Sequence, residues 1–404
     1  MPQPPSTRRE PGRSGDVAHP SPRSCPVSDG MRICFIAGPG SVHTQRWVSW
    51  FTRRGHDVHV VFPCSLLHRS REHICGAVMH PVPTTPTCCS SSYLLLQAMD
   101  HFRLKRLVSS IRPDIMHAHY VRDYGFRAAE TGFHPLVLTA WGSDILVDPV
   151  NRPLVQWELR RTLHKADLIT CDASHIVPDI RRFAGMDADI RIINFGIDTG
   201  QFSPTTVGKN MRQSLDLEGR KVVVSTRSLR PLYDVATLIR AIPEVLTRVP
   251  HTAFIIIGDG PEAHALRLLA ASLGVLEHIR FIGQVPNAAL PAYLCAADIY
   301  VSTSRSDAGL AASTAEAMAC SLPVVVSDFG DNPNWVHDGE NGLLFPCGNH
   351  VALAAALVRV LTDEGFAATA GRANREIIIQ DCDRDTEMCK MEGIYRELAC
   401  RPCL

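Results

Sequence analysis

The chain has 404 residues, with 41 Lys plus Arg against 41 Asp plus Glu, so its formal net charge is zero. This balance argues against nucleic-acid binding, which requires a basic excess or a basic stripe. Hydrophobic residues make up 45% of the chain, and the length suggests two or three domains. No signal-peptide pattern opens the sequence, and no apolar run approaches the roughly 20 residues of a membrane span. We therefore expect a cytoplasmic protein whose 14 cysteines are mostly reduced, buried apolar residues.

The N-terminal half begins with a low-complexity extension. Residues 1–30 are rich in Pro, Ser, Arg and Gly, which predicts disorder because such a segment buries too little apolar surface to offset its ordering entropy. From Met31 onward, short apolar runs alternate with amphipathic stretches. A buried strand at 32–37 precedes a helix at 42–54 that ends at Gly55. Further strands are predicted at 58–62, 114–117, 136–139, 168–171 and 190–193.

The same rhythm starts again near Lys221. Strands are predicted at 221–225, 254–257, 278–282, 299–302 and 323–326, and Asp234 is a candidate helix cap. Such alternation predicts parallel sheets covered by helices on both faces. We predict an α/β protein with two doubly wound, Rossmann-like domains that face each other across a cleft. The predicted segments are a disordered 1–30, an N-terminal domain at 31–208, a C-terminal domain at 209–380, and a helix in 381–404 that packs back on the body.

Doubly wound domains bind ligands at the carboxyl ends of their strands, so the turns that follow the strands are the candidate sites. Gly38 and Gly40 follow the first strand and allow a backbone to approach a phosphate or sugar closely. The full glycine pattern of dinucleotide-binding proteins is absent, since His43 stands within it. A tight turn without a ligand explains these glycines equally well.

Two further turns of the N-terminal half carry polar or aromatic residues. His117 and His119 lie two apart on one strand, so they point the same way, but no third metal ligand accompanies them. Trp141 begins a Trp-Gly-Ser-Asp turn that could line a sugar pocket. Asp144 in that turn could equally be an ordinary helix cap.

The C-terminal half offers basic and glycine-bearing turns. Arg227 and Arg230 follow the strand at 221–225, where a guanidinium suits a diphosphate, although a solvated loop arginine is the alternative. Gly258 opens the turn after the next strand and is a further donor-side candidate.

The strongest motif runs from Ser302 to Cys320. Asp307 precedes a turn with Gly309, Leu310 and Ala311, whose backbone and helix N-terminus suit a diphosphate. Glu316 sits in an almost wholly apolar helix, where an unpartnered carboxylate would be costly. A carboxylate can accept hydrogen bonds from two vicinal sugar hydroxyls. We therefore predict that Glu316 has a partner and a function.

These motifs together resemble the group-1 (family 4) retaining glycosyltransferases of GT-B fold. The resemblance covers nearly everything from Met31 onward, and its strength lies in the joint order of the motifs. Its main motif is Asp307 to Glu316 followed by Ala317-Met318-Ala319 and Leu322-Pro323-Val324-Val325. The other matching segments are Gly55-His56-Asp57-Val58, His117-Ala118-His119, Ala166-Asp167-Leu168-Ile169, Asn194-Phe195-Gly196-Ile197-Asp198, Phe202, Gly258-Asp259-Gly260-Pro261, Gly283, Ala297-Asp298 and Asn341-Gly342.

The resemblance implies a hexosyltransferase that moves a sugar, with retention and without a metal or other cofactor, from a UDP- or GDP-type donor. The acceptor would be a glycan, a lipid-linked molecule or a small molecule, as in cell-envelope polysaccharide biosynthesis. Glu316 would hold the donor ribose, Asp307 the transferred sugar, and Arg227 the diphosphate. Gly283 would lie near the base and His119 near the reacting carbon. The donor-side set would be Gly38, Gly40, Arg227, Arg230, Gly258, Gly283, Gly309, Leu310, Ala311 and Glu316, and the acceptor-side set His43, Trp141 and Asp144.

The sequence also departs from the family pattern. Leu232 stands where the family usually has a lysine that pairs with Arg227, and Asp307 and Glu316 are nine residues apart instead of eight. Ser321 replaces the usual glycine. These changes leave two alternatives open: a catalytically impaired nucleotide-sugar-binding subunit, and a nucleotide-sugar epimerase on the same fold. The basic amphipathic stretch at 101–107 also leaves peripheral membrane contact open, against the simpler interpretation of a solvated helix face.

Overall fold

The computed structural model describes residues 29–65, 73–84, 93–146, 152–205, 207–305 and 309–400, with the side chains of 93–98 excepted. The predicted extension at 1–30 therefore lies almost wholly outside the described residues. The N-terminal strands are β1 (Arg32–Ile36), β2 (Asp57–Ser65), β3 (Val78–Thr84), β4 (Ile115–His119), β5 (Leu136–Ala140), β6 (Leu168–Cys171) and β7 (Ile190–Ile192). The helices among them are α1 (Val42–Arg53), α2 (Tyr93–Ile111), α3 (Phe126–Thr131), α4 (Ser143–Leu146), α5 (Pro153–Leu163) and α6 (Val177–Ala184).

The second half repeats this plan. Its strands are β8 (Lys221–Ser225), β9 (Thr252–Ile257), β10 (Ile279–Gly283), β11 (Ile299–Ser302), β12 (Val324–Ser327) and β13 (Gly342–Phe345). Its helices are α7 (Val207–Ser214), α8 (Val235–Arg248), α9 (Ala263–Ser272), α10 (Leu290–Leu294), α11 (Ala312–Ala319), α12 (Asn332–Trp335), α13 (His350–Thr362), α14 (Glu364–Asp381) and α15 (Arg384–Ala399).

Both sheets are parallel and doubly wound, which confirms the predicted fold class. The strand order is β3-β2-β1-β4-β5-β6-β7 in the first sheet and β10-β9-β8-β11-β12-β13 in the second. The order reverses beside β1 and β4 in one sheet and beside β8 and β11 in the other. Ligands of open parallel sheets bind at such switch points. The turns that follow these four strands are therefore the ones that the topology brings to the cleft.

Helix α1 shows how local sequence sets the geometry of the cleft. Ser41 caps the helix by accepting a hydrogen bond from the Thr44 amide at 3.4 Å. Trp47 and Phe51 are fully buried against the sheet. Gly55 follows the helix with a φ of 86°, a conformation that glycine adopts without strain. Because the apolar face of α1 packs on the sheet, its polar face is turned toward the opposite domain, where Arg46 contacts Glu316.

The last helix, α15, returns to the N-terminal domain. Its Met388, Met391 and Tyr395 are fully buried in the same apolar cluster as Phe35 and Phe51. Asp383 caps the helix by accepting hydrogen bonds from the amides of residues 385 and 386 at 3.0 and 3.1 Å. This helix therefore ties the end of the chain to the first sheet.

One strand of the first sheet was not predicted. β3 contains Pro81 and Pro83, and proline lacks the amide that a central strand needs. The strand lies at the edge of the sheet, with β2 as its partner on one side, so the missing amides are tolerated. Proline disfavours a central strand, and the edge position explains why a strand forms here.

Candidate active site in the interdomain cleft

A cavity of about 530 Å³ lies between the two domains, at the carboxyl ends of their strands. The N-terminal domain contributes residues of α1 and of the turns after β5 and β6. The C-terminal domain contributes the turns after β8 and β11 and the first turn of α11. Seven of the sequence-predicted site residues line it: His43, Trp141, Arg227, Gly309, Leu310, Ala311 and Glu316.

Glu316 has the partner that its burial required. Its carboxylate Oε1 accepts a hydrogen bond from Nη2 of Arg46, in the opposite domain, at 2.6 Å, and another from Nδ2 of Asn287 at 3.1 Å. The Glu316 side chain is 5% exposed and that of Arg46 17%. Burial raises the pKa of Glu316, and the charge and hydrogen bond of Arg46 act against the rise.

Arg227 lies in the turn after β8 and is almost fully buried. Its guanidinium donates to the hydroxyls of Ser313 at 3.0 Å and Ser304 at 3.3 Å, and it lies over the Tyr233 ring at 4.2 Å. These three contacts are with neutral groups, and they orient the guanidinium at the cavity wall. Such a cation beside a cavity suits an anionic ligand.

The first turn of α11 supplies a second positive feature. Gly309 to Ser313 line the cavity, and the amides that begin a helix have no partner within it. The positive end of the helix dipole therefore faces the cavity, and this favours an anion. Asp307 lies outside the described residues.

Three other donor-side candidates, Gly258, Gly283 and Arg230, are not among the residues that line this cavity. Gly258 has a φ of 138°, and a Cβ there would lie 2.3 Å from the carbonyl oxygen of Arg227, so only glycine allows the two turns to pack. Gly283 has a φ of 80° and pairs with Ile257 in the sheet. Arg230 is exposed and does not line the cavity. Leu232 is also exposed, by 48%, but it does line the cavity.

A second cavity, of about 440 Å³, adjoins the first within the N-terminal domain. Gly38, Gly40 and His119 line it, together with Tyr120 and Tyr124. Trp141 lines both cavities and so separates them. The glycines of the first turn thus accompany His119, away from Glu316.

The two histidines of the cleft are held neutral. Burial lowers the pKa of His119 to about 3, and burial and then the charge of Arg46 lower the pKa of His43 to about 4. His119 Nδ1 lies 3.3 Å from the Thr44 hydroxyl, and its Nε2 has no hydrogen-bond partner among the described residues. His43 stacks on Trp141 at 4.9 Å. Both rings can therefore exchange hydrogen bonds with a ligand but carry no charge at neutral pH.

Asp144 supports the site by holding the turn that carries Trp141. Its carboxylate is fully buried and accepts hydrogen bonds from the backbone amides of Val121 at 2.8 Å and Trp141 at 3.1 Å. Because these bonds are directed at the backbone, Asp144 holds the Trp141 turn in place. Asp144 lies within α4, and both of these amides lie outside that helix, so the bonds are not those of a helix cap.

Among the cavity residues that sequence reasoning missed, three have a charged or amide side chain: Arg46, Asn287 and Asp172. Asp172 directly follows the buried strand β6, the same signal that identified the other candidates. Arg46 lies one helical turn beyond Val42 and His43, on a helix that starts at the cleft. Asn287 lies in a loop and carries no comparable signal.

Two general properties concern metals and membranes. Among the described residues, no three His, Cys, Asp or Glu side chains cluster closely enough to form a metal site. Within the same ranges, none of the helices has the length and apolar character that crossing a membrane requires.

Comparison with known proteins agrees with this geometry. Residues 207–377 match the family model for glycosyl transferases group 1, and residues 32–173 match that for glycosyl transferase 4-like proteins. The GDP-mannose-dependent alpha-(1-6)-phosphatidylinositol monomannoside mannosyltransferase of Mycolicibacterium smegmatis is 34% identical over 230 residues. This match covers 55% of the chain but only 60% of that relative's length.

Two more distant likenesses extend over most of the chain. The N-acetyl-alpha-D-glucosaminyl L-malate synthase of Bacillus anthracis is 23% identical over 90% of the chain and 94% of its own length. The crystal structure of Anabaena HepE in complex with UDP superposes with a TM-score of 0.76 at 21% identity, covering 91% of the chain and all of HepE. At this identity the structural likeness concerns the fold.

Proposed function

Because the chain belongs to the group 1 glycosyltransferases and has the GT-B fold, we propose that it transfers a hexose from a nucleotide-sugar donor with retention of configuration. The observation that carries this proposal is the interdomain cavity, where Arg227, the start of α11 and Glu316 converge. The donor would be of the UDP or GDP type. One relative uses GDP-mannose by name, and HepE was solved with UDP.

The donor would bind mainly to the C-terminal domain. We place its diphosphate between the Arg227 guanidinium and the first turn of α11, and its ribose hydroxyls at Glu316. The described contacts of Glu316 all fall on Oε1. Its other oxygen, Oε2, is the proposed acceptor for the ribose, while Arg46 and Asn287 fix the orientation of the carboxylate.

Catalysis would then depend on the leaving diphosphate. Departure of the diphosphate breaks the anomeric C–O bond and leaves an oxocarbenium-like carbon, which the acceptor oxygen attacks from the same face. The phosphate oxygen takes the acceptor's proton, so no charged base is needed from the protein. Arg227 and the α11 N-terminus stabilise the developing negative charge, the main electrostatic task in such a reaction. No metal takes part in this proposed mechanism.

The acceptor would enter from the adjoining cavity beside His119 and Trp141. The neutral His119 ring would exchange a hydrogen bond with a sugar hydroxyl near the reacting carbon, and the aromatic side chains would pack against a sugar face. Candidate acceptors are a glycan, a lipid-linked molecule or a small molecule. The mycobacterial relative acts on a phosphatidylinositol monomannoside by name, which supports a role in cell-envelope biosynthesis.

Peripheral membrane contact would suit a lipid-linked acceptor. Phe102 on α2 is 69% exposed and lies among the exposed Arg103, Lys105 and Arg106, so an apolar group is surrounded by cations. Such a surface can bind an anionic membrane. Sedimentation with phosphatidylglycerol vesicles tests this: wild type should bind, Phe102→Ser should bind less, and binding to neutral vesicles should be absent for both.

A panel of nucleotide sugars tests the main proposal. Wild type, incubated with each donor and with glycan, lipid and small-molecule acceptors, should release nucleoside diphosphate from at least one donor. Glu316→Ala should lose donor-dependent release. Full activity of Glu316→Ala would refute the assigned role of this residue.

The position of Leu232 favours one alternative. It lines the cavity where the family usually has a lysine, so a binding subunit without catalysis is a second candidate. Donor binding without turnover across the acceptor panel would favour it. Conversion of the donor into another nucleotide sugar without an acceptor would indicate an epimerase.

A further inference from the structure

Asp172 is a carboxylate in the wall of the cleft that the donor contacts described above do not use. It is the first residue after β6 and lines the interdomain cavity. The residue is 9% exposed, and its Oδ1 has no hydrogen-bond partner among the described residues. Leaving a buried acceptor without a donor is unfavourable, and it is more unfavourable if the acceptor is charged. The fold therefore maintains an unfavourable group at this place.

Among the residues that the structure describes, the surroundings of Asp172 do not compensate its charge. Burial is the main cause that raises the pKa of this carboxyl to about 7, and the neighbouring carboxylates of Asp144 and Asp331 raise it further. Its own backbone amide is the one contact that acts in the other direction. A carboxyl that served only to hold the fold would be expected to have a complementary cation or donor. In a cleft, a ligand that donates hydrogen bonds is the complement that such a group would accept.

Asp172 faces a defined place on the opposite domain. A Cβ on Gly309 would lie 3.0 Å from Cγ of Asp172 and 3.1 Å from Oδ2, so the two residues are in contact across the cleft. Gly309 begins the segment that leads into α11 at Ala312. Asp172 therefore stands beside the point where we place the donor diphosphate, on the side of the N-terminal domain.

We propose that Asp172 binds the hydroxyl groups of a sugar held in the interdomain cavity, beside the contact of Asp172 with Gly309. The inference rests on the proposed transferase function, since the sugar next to the diphosphate is the one that is transferred. A carboxylate can accept hydrogen bonds from two vicinal hydroxyls, and one of these bonds would satisfy Oδ1, which has no partner among the described residues. Asp172 is thus a substrate-binding residue supplied by the domain opposite Glu316.

Calorimetry separates the sugar from the nucleotide. UDP-glucose and GDP-mannose serve as probes, with UDP and GDP as matched ligands that lack the sugar. For the donor that wild type accepts, Asp172→Ala and Asp172→Asn should bind the nucleotide sugar roughly tenfold more weakly, while binding of the diphosphate changes less than twofold. Asp187→Asn, an exposed acid on the same domain, is the control and should match wild type.

The remaining outcomes distinguish the sources of the hydroxyls and the competing explanations. Unchanged donor binding with a roughly tenfold higher KM for the acceptor would assign the hydroxyls to the acceptor sugar, and the proposal would stand. Equal losses for nucleotide sugar and diphosphate would show that Asp172 only supports the Gly309 segment, and unchanged binding and kinetics would show that it does not contact a sugar. Either result overturns the inference. If wild type neither binds nor turns over any nucleotide sugar, the proposed function itself fails, and the inference with it.

Discussion

Arg46 and Glu316 join the two domains through a hydrogen-bonded ion pair of 2.6 Å, although they lie 270 residues apart in the chain. Glu316 belongs to the domain where we place the donor and Arg46 to the domain that we assign to the acceptor. The pair therefore connects the proposed ribose site with the relative position of the domains. Its removal should affect both stability and nucleotide binding.

We expect Arg46→Ala to lower the free energy of unfolding by about 2 kcal/mol, because it leaves a buried carboxylate without its cation. Nucleotide affinity should fall about tenfold, since Glu316 then becomes protonated more readily and loses its fixed orientation. Thermal unfolding and calorimetry with UDP and GDP measure the two effects. Arg53→Ala, at the exposed end of the same helix, is the control. Tighter nucleotide binding by Arg46→Ala would show instead that Arg46 blocks the ribose site.

The same pair lends itself to a double-mutant cycle. If Arg46 acts mainly through Glu316, the losses in the double variant Arg46→Ala/Glu316→Ala should fall well short of the sum of the single losses, with a coupling of about 1–3 kcal/mol. Stability measurements on the four proteins give the value. Additive losses would mean that Arg46 acts on the domains independently of Glu316.

Leu232 offers a test of the diphosphate site by gain of function. It lines the cavity, is half exposed, and lies beside Tyr233, which stacks on Arg227. Leu232→Lys should bind UDP or GDP about three- to tenfold more tightly, because a second cation then faces the diphosphate, and the gain should shrink at high salt. Leu232→Gln, of similar length but uncharged, should show no gain. A salt-independent gain, or none, would place the diphosphate elsewhere.

Ser321 has an unfavourable backbone conformation, at a position where the family usually has glycine. It follows α11 with a φ of 61°, in the left-handed region that favours glycine, and glycine is the residue usual at this position. Ser321→Gly should raise the free energy of unfolding by up to about 1 kcal/mol, and Ser321→Val should lower it by at least as much. Chemical denaturation measures both. Nucleotide binding should change in neither, because Ser321 is at the opposite end of α11 from the cavity.

The sequence predicted the elements that have strong local patterns. The strands at 168–171, 221–225 and 299–302 agree with β6, β8 and β11 residue for residue, because uniform apolar runs between turns leave little choice. The apolar surroundings of Glu316 predicted that it has a partner, and the structure confirms this. Its identity could not be predicted, since Arg46 reaches it only through the packing of one domain against the other.

Other features could not be predicted from the sequence, because they depend on where an element lies in the fold. The strand β3 was not predicted, and its two prolines are tolerated because it lies at the edge of the sheet. Gly38 and Gly40 were grouped with the donor-side residues, but they line the second cavity with His119. The spacing of residues along the chain cannot show which side of a cleft a turn faces.

Asp172 leads to a prediction in which stability and function change in opposite directions. Burial and the neighbouring Asp144 and Asp331 raise its folded-state pKa from the ordinary 3.8 to about 7, so the folded protein favours the neutral carboxyl. The stabilisation from the neutral form is complete below the unfolded pKa and is lost as the pH rises through about 7. Asp172→Asn stays neutral at every pH. At pH 8 its free energy of unfolding should therefore exceed that of wild type by on the order of 2 kcal/mol, which raises the unfolding temperature. The difference should vanish near pH 4.

The same variant should lose affinity for the donor sugar at pH 8, where the wild-type carboxylate is charged and accepts hydrogen bonds most strongly. Thermal unfolding of both proteins between pH 4 and pH 8, with nucleotide-sugar binding at the upper limit, checks the two halves together. A purely structural Asp172 would lose stability on substitution at pH 8. Greater stability combined with weaker sugar binding is expected only if the carboxylate is retained for the ligand at the expense of the fold.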